Sequence, residues 1–214
     1  SWPLIISGIM VALYMKIDQI MIQNLSGTKE SGAYATVASL SEAWNFVPAI
    51  IVSTLFPAIL NARRDDAARY KKRIQHLYDL MVYLSVPAAL VISFASPIIY
   101  GLFKPEYASA APVLSVHIWS GLFVFLGAAN GQWLITENFT RLTFIRTAFG
   151  AIVNILLNLV LIPKMGMMGA AIATLIAYAC STFFVLLIPK TRQQGVMMLK
   201  SLFFITLKNN ISKK

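Results

Sequence analysis

Charge is scarce in this sequence: Asp, Glu, Lys and Arg make up only 12% of its 214 residues, about half the share of a soluble domain. That scarcity excludes a surface built to face water on all sides. Carboxylates are the rarer sign, eight against 18 Lys and Arg, which leaves a net charge of +10. Cysteine is reduced to Cys180, so an intramolecular disulfide is excluded, and a lone thiol in an apolar run reads as a small packing residue. Spacings for a zinc site, a phosphate-binding glycine loop or a nucleophile elbow are absent. The sequence therefore offers no catalytic residues, no metal site and no cofactor site, and its short loops leave no room for a membrane transferase centre. The chain opens Ser1-Trp2-Pro3 without an initiator Met or a basic segment ahead of an apolar core. This does not read as a signal peptide but as a cut through a longer protein.

What is present is apolar. Hydrophobic residues reach 58% and the mean hydropathy is +0.71, so the chain needs lipid as its solvent. A hydrocarbon core about 30 Å thick takes roughly 20 residues per helical span, which gives room for about six spans. The expected fold is an all-α integral membrane bundle of six transmembrane helices over residues 1–190, with a basic tail at 191–214. The spans read as Trp2–Asn24, Ala33–Leu60, Leu77–Leu102, Ala108–Ile135, Phe144–Ile162 and Met168–Ile188. Pro48 and Pro57 are expected to kink the second span. The basic stretch Asn61–His76 reads as a short surface helix, and Val196–Leu207 as an interfacial helix or the start of an incomplete span.

The cations orient the bundle. Six Lys and Arg lie between spans two and three, Arg141 and Arg146 in the connector and the start of span five, and six from Lys190 onward, against Lys29, Lys104 and Lys164 on the opposite side. That asymmetry puts both ends of the segment on the cytoplasmic side of a cytoplasmic membrane. It also accounts for the basic balance without nucleic acid.

Ionisable groups inside a span cost about 2.5 to 3.5 kcal/mol each at the helix centre, so those that persist usually face a cavity or a partner. Lys16 and Asp18 stand two residues apart in the first span, about 200° around a helix, and must point to opposite faces. Asp18 either lines a polar translocation cavity or contacts a neighbouring helix; Lys16 either lines the cavity or snorkels to the interface. Glu42, beside Ser39, Ser41 and Asn45, is a cavity candidate or a headgroup neighbour. Arg146, Gly150, Asn154 and Asn158 recur every four residues, a stripe that should meet protein rather than lipid, as packing amides or as a polar path. Asn130, with Gln132, Glu137 and His117, offers polar contacts from the fourth span. Gly166, Gly169, Ala170, Ala173 and Ala177 give the sixth span a small-residue face for close packing. Trp44, Trp119 and Trp133 belong to an interfacial belt or stack on sugars.

Several segments carry a resemblance: Tyr14-Met-Lys-Ile-Asp-Gln-Ile-Met-Ile22, Ser31-Gly-Ala-Tyr-Ala35, Leu40-Ser-Glu-Ala-Trp44, Gly150-Ala-Ile-Val-Asn-Ile-Leu-Leu-Asn158, Leu161-Ile-Pro163 and Gly166-Met-Met-Gly-Ala-Ala-Ile-Ala-Thr174. In this order they resemble the C-terminal half of the polysaccharide-export flippases, the O-antigen and capsule oligosaccharide flippase family in the superfamily that also holds the MATE exporters. The resemblance implies one lobe of a two-lobed transporter of about twelve or more helices, the N-terminal lobe lying outside this chain. It implies a bacterial or archaeal cytoplasmic membrane, alternating access and a lipid-linked oligosaccharide substrate, with membrane lipids and a polysaccharide polymerase or ligase as candidate partners. By motif, Asp18 falls on the acidic position of the seventh-helix pattern, Glu42 on the eighth, and Asn154 with Asn158 on the eleventh. Lys16 and Arg146 suit an anionic pyrophosphate. Competing readings are half of a cation-coupled multidrug exporter, which would favour an acidic cavity, and a non-transporting scaffold of the polysaccharide assembly complex.

Overall fold

The computed structural model describes residues 16–103 and 105–205, the side chains of Arg64 and Asp65 excepted. Among them there is no β-strand. The first helix, α1, covers 16–26; it is followed by α2 (Thr28–Glu42), α3 (Phe46–Asp65), α4 (Ala67–Gly101), a 3-10 turn (Pro105–Ala110), α5 (Ala111–His117), α6 (Ser120–Thr136), α7 (Thr140–Met165), α8 (Met167–Phe183), a second 3-10 turn (Phe184–Leu187) and α9 (Arg192–Leu202). Four helical stretches in the described residues are long and apolar enough to cross a membrane: Thr28–Arg63, Ala67–Gly101, Thr140–Met165 and Met167–Leu187. A fifth is formed if the pair Pro105–His117 and Ser120–Thr136 is one bent span. Most of the first expected span lies outside the described residues. The chain is an all-α, multi-pass membrane protein.

The outward faces confirm the solvent. Phe94 is 81% exposed, Leu102 86% and Ile98 72%, areas that only hydrocarbon tolerates at this density. On α7, Ile152, Leu156, Leu159 and Val160 are exposed while Gly150, Asn154 and Asn158 are buried, so its polar stripe faces protein. The interior divides into two apolar clusters. One joins α3, α4, α6 and α9 around Phe125, Tyr78 and Met81; the other joins α1, α2, α5 and α8 around Ile22, Tyr34 and Leu114.

Two spans are broken rather than kinked. The second stops at Glu42 and restarts at Phe46. Pro48 causes this: it has no N–H to give the carbonyl of Trp44, and its ring crowds that carbonyl. Asn45 N–H bonds Glu42 O and Val47 N–H bonds Trp44 O, both at 2.9 Å, the shorter-range bonding of a 3-10 turn. Pro57 stays inside a continuous α3. The fourth span breaks at Ile118–Trp119 with a 40° bend, again through three-residue bonds, Trp119 N–H to Val116 O and Gly121 N–H to Ile118 O. No proline announces that break. The two interruptions lie side by side: Ser41 Oγ and His117 Nδ1 are 2.5 Å apart, and Trp44 packs on Phe125 at 4.9 Å between ring centroids.

The basic connector is no separate surface helix. Asp66 has extended backbone and its side chain accepts the Ala68 N–H at 2.7 Å, an N-cap that starts one helix running from the basic segment through the third span. Asp66→Ala is expected to lower stability by about 1 kcal/mol, read as a small drop in melting temperature in detergent.

At the other end α9 docks on α4. Tyr78 Oη donates to Gln194 Oε1 (2.9 Å) and accepts from Asn130 Nδ2 (3.3 Å). Ser201 Oγ donates to Asp79 Oδ1 (2.6 Å), and Gln75 Nε2 reaches Asp79, Met197 O and Ser201 Oγ. The small-residue face of α8 pairs tightly with α7: a Cβ at Gly169 would overlap the Leu161 carbonyl, and one at Gly150 would lie 2.7 Å from Ser181 Cβ. Gly166 joins the two helices at φ 56°, ψ −135°, a backbone that favours glycine.

Candidate functional site

The most buried carboxyl group among the described residues is that of Asp18. It is 4% exposed, and its two oxygens receive three donors from three other helices. Asn158 Nδ2 (α7) donates to Oδ1 at 2.6 Å, Thr174 Oγ1 (α8) to Oδ2 at 2.5 Å, and Tyr34 Oη (α2) to Oδ2 at 3.0 Å. Asn158 Nδ2 also reaches Asn154 Oδ1 at 3.1 Å, and Asn154 Nδ2 lies 3.4 Å from Thr174 Oγ1. All five residues are 5% exposed or less. No Lys or Arg among the described residues forms a salt bridge with Asp18. A carboxyl group held by neutral donors in this setting is expensive to keep unless it works.

Glu42 and Lys16 stand at the edge of this cluster. Glu42 ends α2 just before the break and is half-buried, within electrostatic reach of both Lys16 and Asp18. Lys16 is exposed where Asp18 is buried, as their rotation around α1 requires.

Arg146 occupies a second place. Its guanidinium lies against α6, where Nη2 donates to Gly127 O at 3.0 Å. Two glycines one turn apart make the seat: a Cβ at Gly131 would stand 2.8 Å from Nη2, and one at Gly127 3.7 Å from Nη1. The side chain lines a cleft of about 330 Å³ with Asn45, Phe123, Tyr178, Ser181 and Thr182. Arg146 is the one Lys or Arg in the lining, which holds no Asp or Glu. Arg146 Nε and Asn45 Oδ1 are buried with no hydrogen-bond partner among the described residues. Asn45 sits in the break between α2 and α3, so interrupted backbone, a guanidinium and an open amide oxygen meet at one cleft. A larger cleft of about 510 Å³ continues along α3 and α6 past Ala128 to Gln132 and Leu60.

The candidates named from the sequence thus fall in three places. Asp18, Asn154 and Asn158 form the buried cluster with Glu42 and Lys16 at its rim; Arg146 lines the cleft; Asn130 belongs to the chain linking α6, α4 and α9. Glu137 is engaged at the surface by Arg63 (2.9 Å) and Tyr70 (2.9 Å). Trp133 is stacked on Phe139 inside the bundle. Sequence reasoning missed Tyr34 and Thr174 as partners of Asp18. Thr174 was findable: it stands four residues from Ala170 and three from Ala177, on the small face expected to meet another helix.

The comparisons agree with this architecture. The family described as "Polysaccharide biosynthesis protein" matches residues 1–63. The chain is 23% identical over 180 residues to the probable low-salt glycan biosynthesis flippase Agl15 of Haloferax volcanii, covering 83% of this chain and 38% of that protein. It is 28% identical over 210 residues to the probable multidrug resistance protein NorM of Bacillus cereus, 90% of this chain and 44% of that one. An uncharacterized membrane protein of Methanocaldococcus jannaschii is 31% identical over 115 residues, 51% of this chain and 22% of its own length. The chain spans less than half the length of these relatives, and no solved structure matches it. The chain is thus similar to membrane proteins that carry flippase and multidrug-resistance names, and it resembles the polysaccharide biosynthesis family over its first 63 residues.

Proposed function

We propose that this chain is one lobe, the C-terminal half, of a transporter that flips a lipid-linked oligosaccharide across the cytoplasmic membrane by alternating access, without enzymatic chemistry of its own. The observation that carries the reading is the cleft at the α2–α3 break, where Arg146 lies without a carboxylate partner among the described residues. Interrupted helices inside a membrane are tolerated where they line a cavity, and in transporters they mark the binding region. A guanidinium there suits a pyrophosphate, to which it offers paired N–H donors. A cationic drug would be repelled by it. The other lobe would close the cleft from the opposite side, and both ends of this segment would face the cytoplasm.

Asp18 has a separate role in this reading. Held by Tyr34, Thr174 and Asn158 and outside the lining of the cleft, it is the group through which an ion gradient would drive the cycle.

The test uses the full-length protein in cells that depend on it for surface glycan. Arg146→Gln is expected to reduce surface glycan at least tenfold at unchanged membrane abundance, a loss of about 1.4 kcal/mol or more of substrate stabilisation, and Arg146→Lys to restore part of it. Unchanged export from Arg146→Gln would remove the cleft from the translocation path. Unchanged glycan with altered sensitivity to cationic drugs would favour the exporter reading.

A further inference from the structure

The α4 helix is longer than a bilayer core is thick. Its 35 residues extend about 52 Å at 1.5 Å per residue, while a core of about 30 Å takes roughly twenty of them. The surplus lies at the N-terminal end, where Arg69, Lys71, Lys72, Arg73, Gln75 and His76 precede the buried run from Leu77. With the apolar run of α4 across the core, this basic end falls at the headgroup level. There α9 crosses α4, and between them opens a cleft of about 350 Å³ lined by Lys71, Lys72, Gln75, His76, Met197 and Lys200, with Ala68 at its rim.

No carboxylate lines this cleft. Two carboxylates stand near it: that of Asp66, the N-cap of α4, is occupied by the N–H of the lining residue Ala68, and Asp79 is 6% exposed and turned inward to Ser201 and Gln75. Gln75 is held by three bonds to α4 and α9, so the floor is fixed while the ammonium groups of Lys71, Lys72 and Lys200 stand exposed around it. Toward the apolar side, Tyr83 and Phe204 stack at 5.5 Å, and Phe203 is 68% exposed. Cations above and exposed aromatics below have the order of charges and carbons in a phospholipid.

We propose that this cleft seats an anionic phospholipid of the surrounding bilayer, its phosphate among Lys71, Lys72 and Lys200 and its acyl chains against the Tyr83–Phe204 pair. Basic pockets at a membrane surface hold such headgroups, each Lys contributing about fivefold in affinity. The site is distinct from the Arg146 cleft and would clamp α9 onto α4 from outside.

The experiment places the purified full-length protein in nanodiscs of phosphatidylcholine with a minor fraction of phosphatidylglycerol and counts retained lipids by native mass spectrometry. The wild type is expected to retain phosphatidylglycerol over phosphatidylcholine. Lys71→Gln, Lys72→Gln and Lys200→Gln should each weaken that preference about fivefold and multiply when combined, while Arg141→Gln, an exposed cation outside the cleft, should not. An unchanged preference in the triple variant overturns the proposal. So does displacement of the lipid by millimolar pyrophosphate, which would assign the cleft to a soluble phosphate. Lipid retention is read without any transport, so failure here leaves the flippase reading intact.

Discussion

Asp18→Leu is expected to deplete the folded protein from the membrane, whereas Asp18→Asn leaves its abundance near normal and stops transport. Three donors converge on the Asp18 carboxyl from three other helices. Leucine strands all of them in a site whose residues are 5% exposed or less, at about 1–3 kcal/mol per unsatisfied group, a large part of a stability of about 5–15 kcal/mol. Asparagine keeps the shape. Its oxygen can accept from Asn158, and its NH2 can donate to the hydroxyls of Thr174 and Tyr34, which rotate to accept. What it cannot supply is a carboxylate. Melting temperature in detergent, membrane abundance and surface glycan separate the two effects. Normal export from Asp18→Asn would remove Asp18 from the energy-coupling role and leave it a structural knot.

The second large effect is expected at Gly169. Gly169→Leu should abolish the folded bundle, and Gly169→Ala should cost about 1–3 kcal/mol. The obstacle is backbone: an added Cβ meets the carbonyl of Leu161, which cannot rotate away as a side-chain tip can. The α7–α8 pair must then separate, and Asn158 and Thr174, which hold Asp18 from these two helices, separate with it. Gly121→Ala is the control, since its Cβ would meet the Trp44 ring at an ordinary 3.6 Å. Size-exclusion profiles after heating give the ranking; an equal loss for both substitutions would show that helix propensity, not close approach, sets the cost.

What could be read from the sequence followed from rules with one dominant cause. Apolar length located the second, third, fifth and sixth spans, the four-residue repeat of Gly150, Asn154 and Asn158 located the buried face of α7, and the small residues of α8 located its contact with α7. What could not be read depended on partners distant along the chain. Tyr34 and Thr174 are 140 residues apart, and nothing local says that both hydroxyls turn toward Asp18. The break at Ile118–Trp119 has no proline to mark it. Pro48 and Pro57 look alike in sequence, yet only Pro48 falls where a neighbouring broken helix and the Ser41–His117 contact accept an interruption. The polar residues of α9 gave no sign of their partners on α4, because Gln194 and Ser201 are ordinary surface residues until Tyr78 and Asp79 are placed beside them.

The seat of Arg146 carries an evolutionary consequence. Its guanidinium tip occupies the space that a Cβ at residue 131 would take, so the two positions are coupled through the placement of that tip. A lineage in which residue 131 acquires a methyl group displaces the guanidinium tip of residue 146, and one that trades the arginine for a small residue frees position 131 to grow. Paired substitution at 131 and 146 is therefore expected across relatives of this chain, and it would sort them by whether their cleft keeps its positive charge.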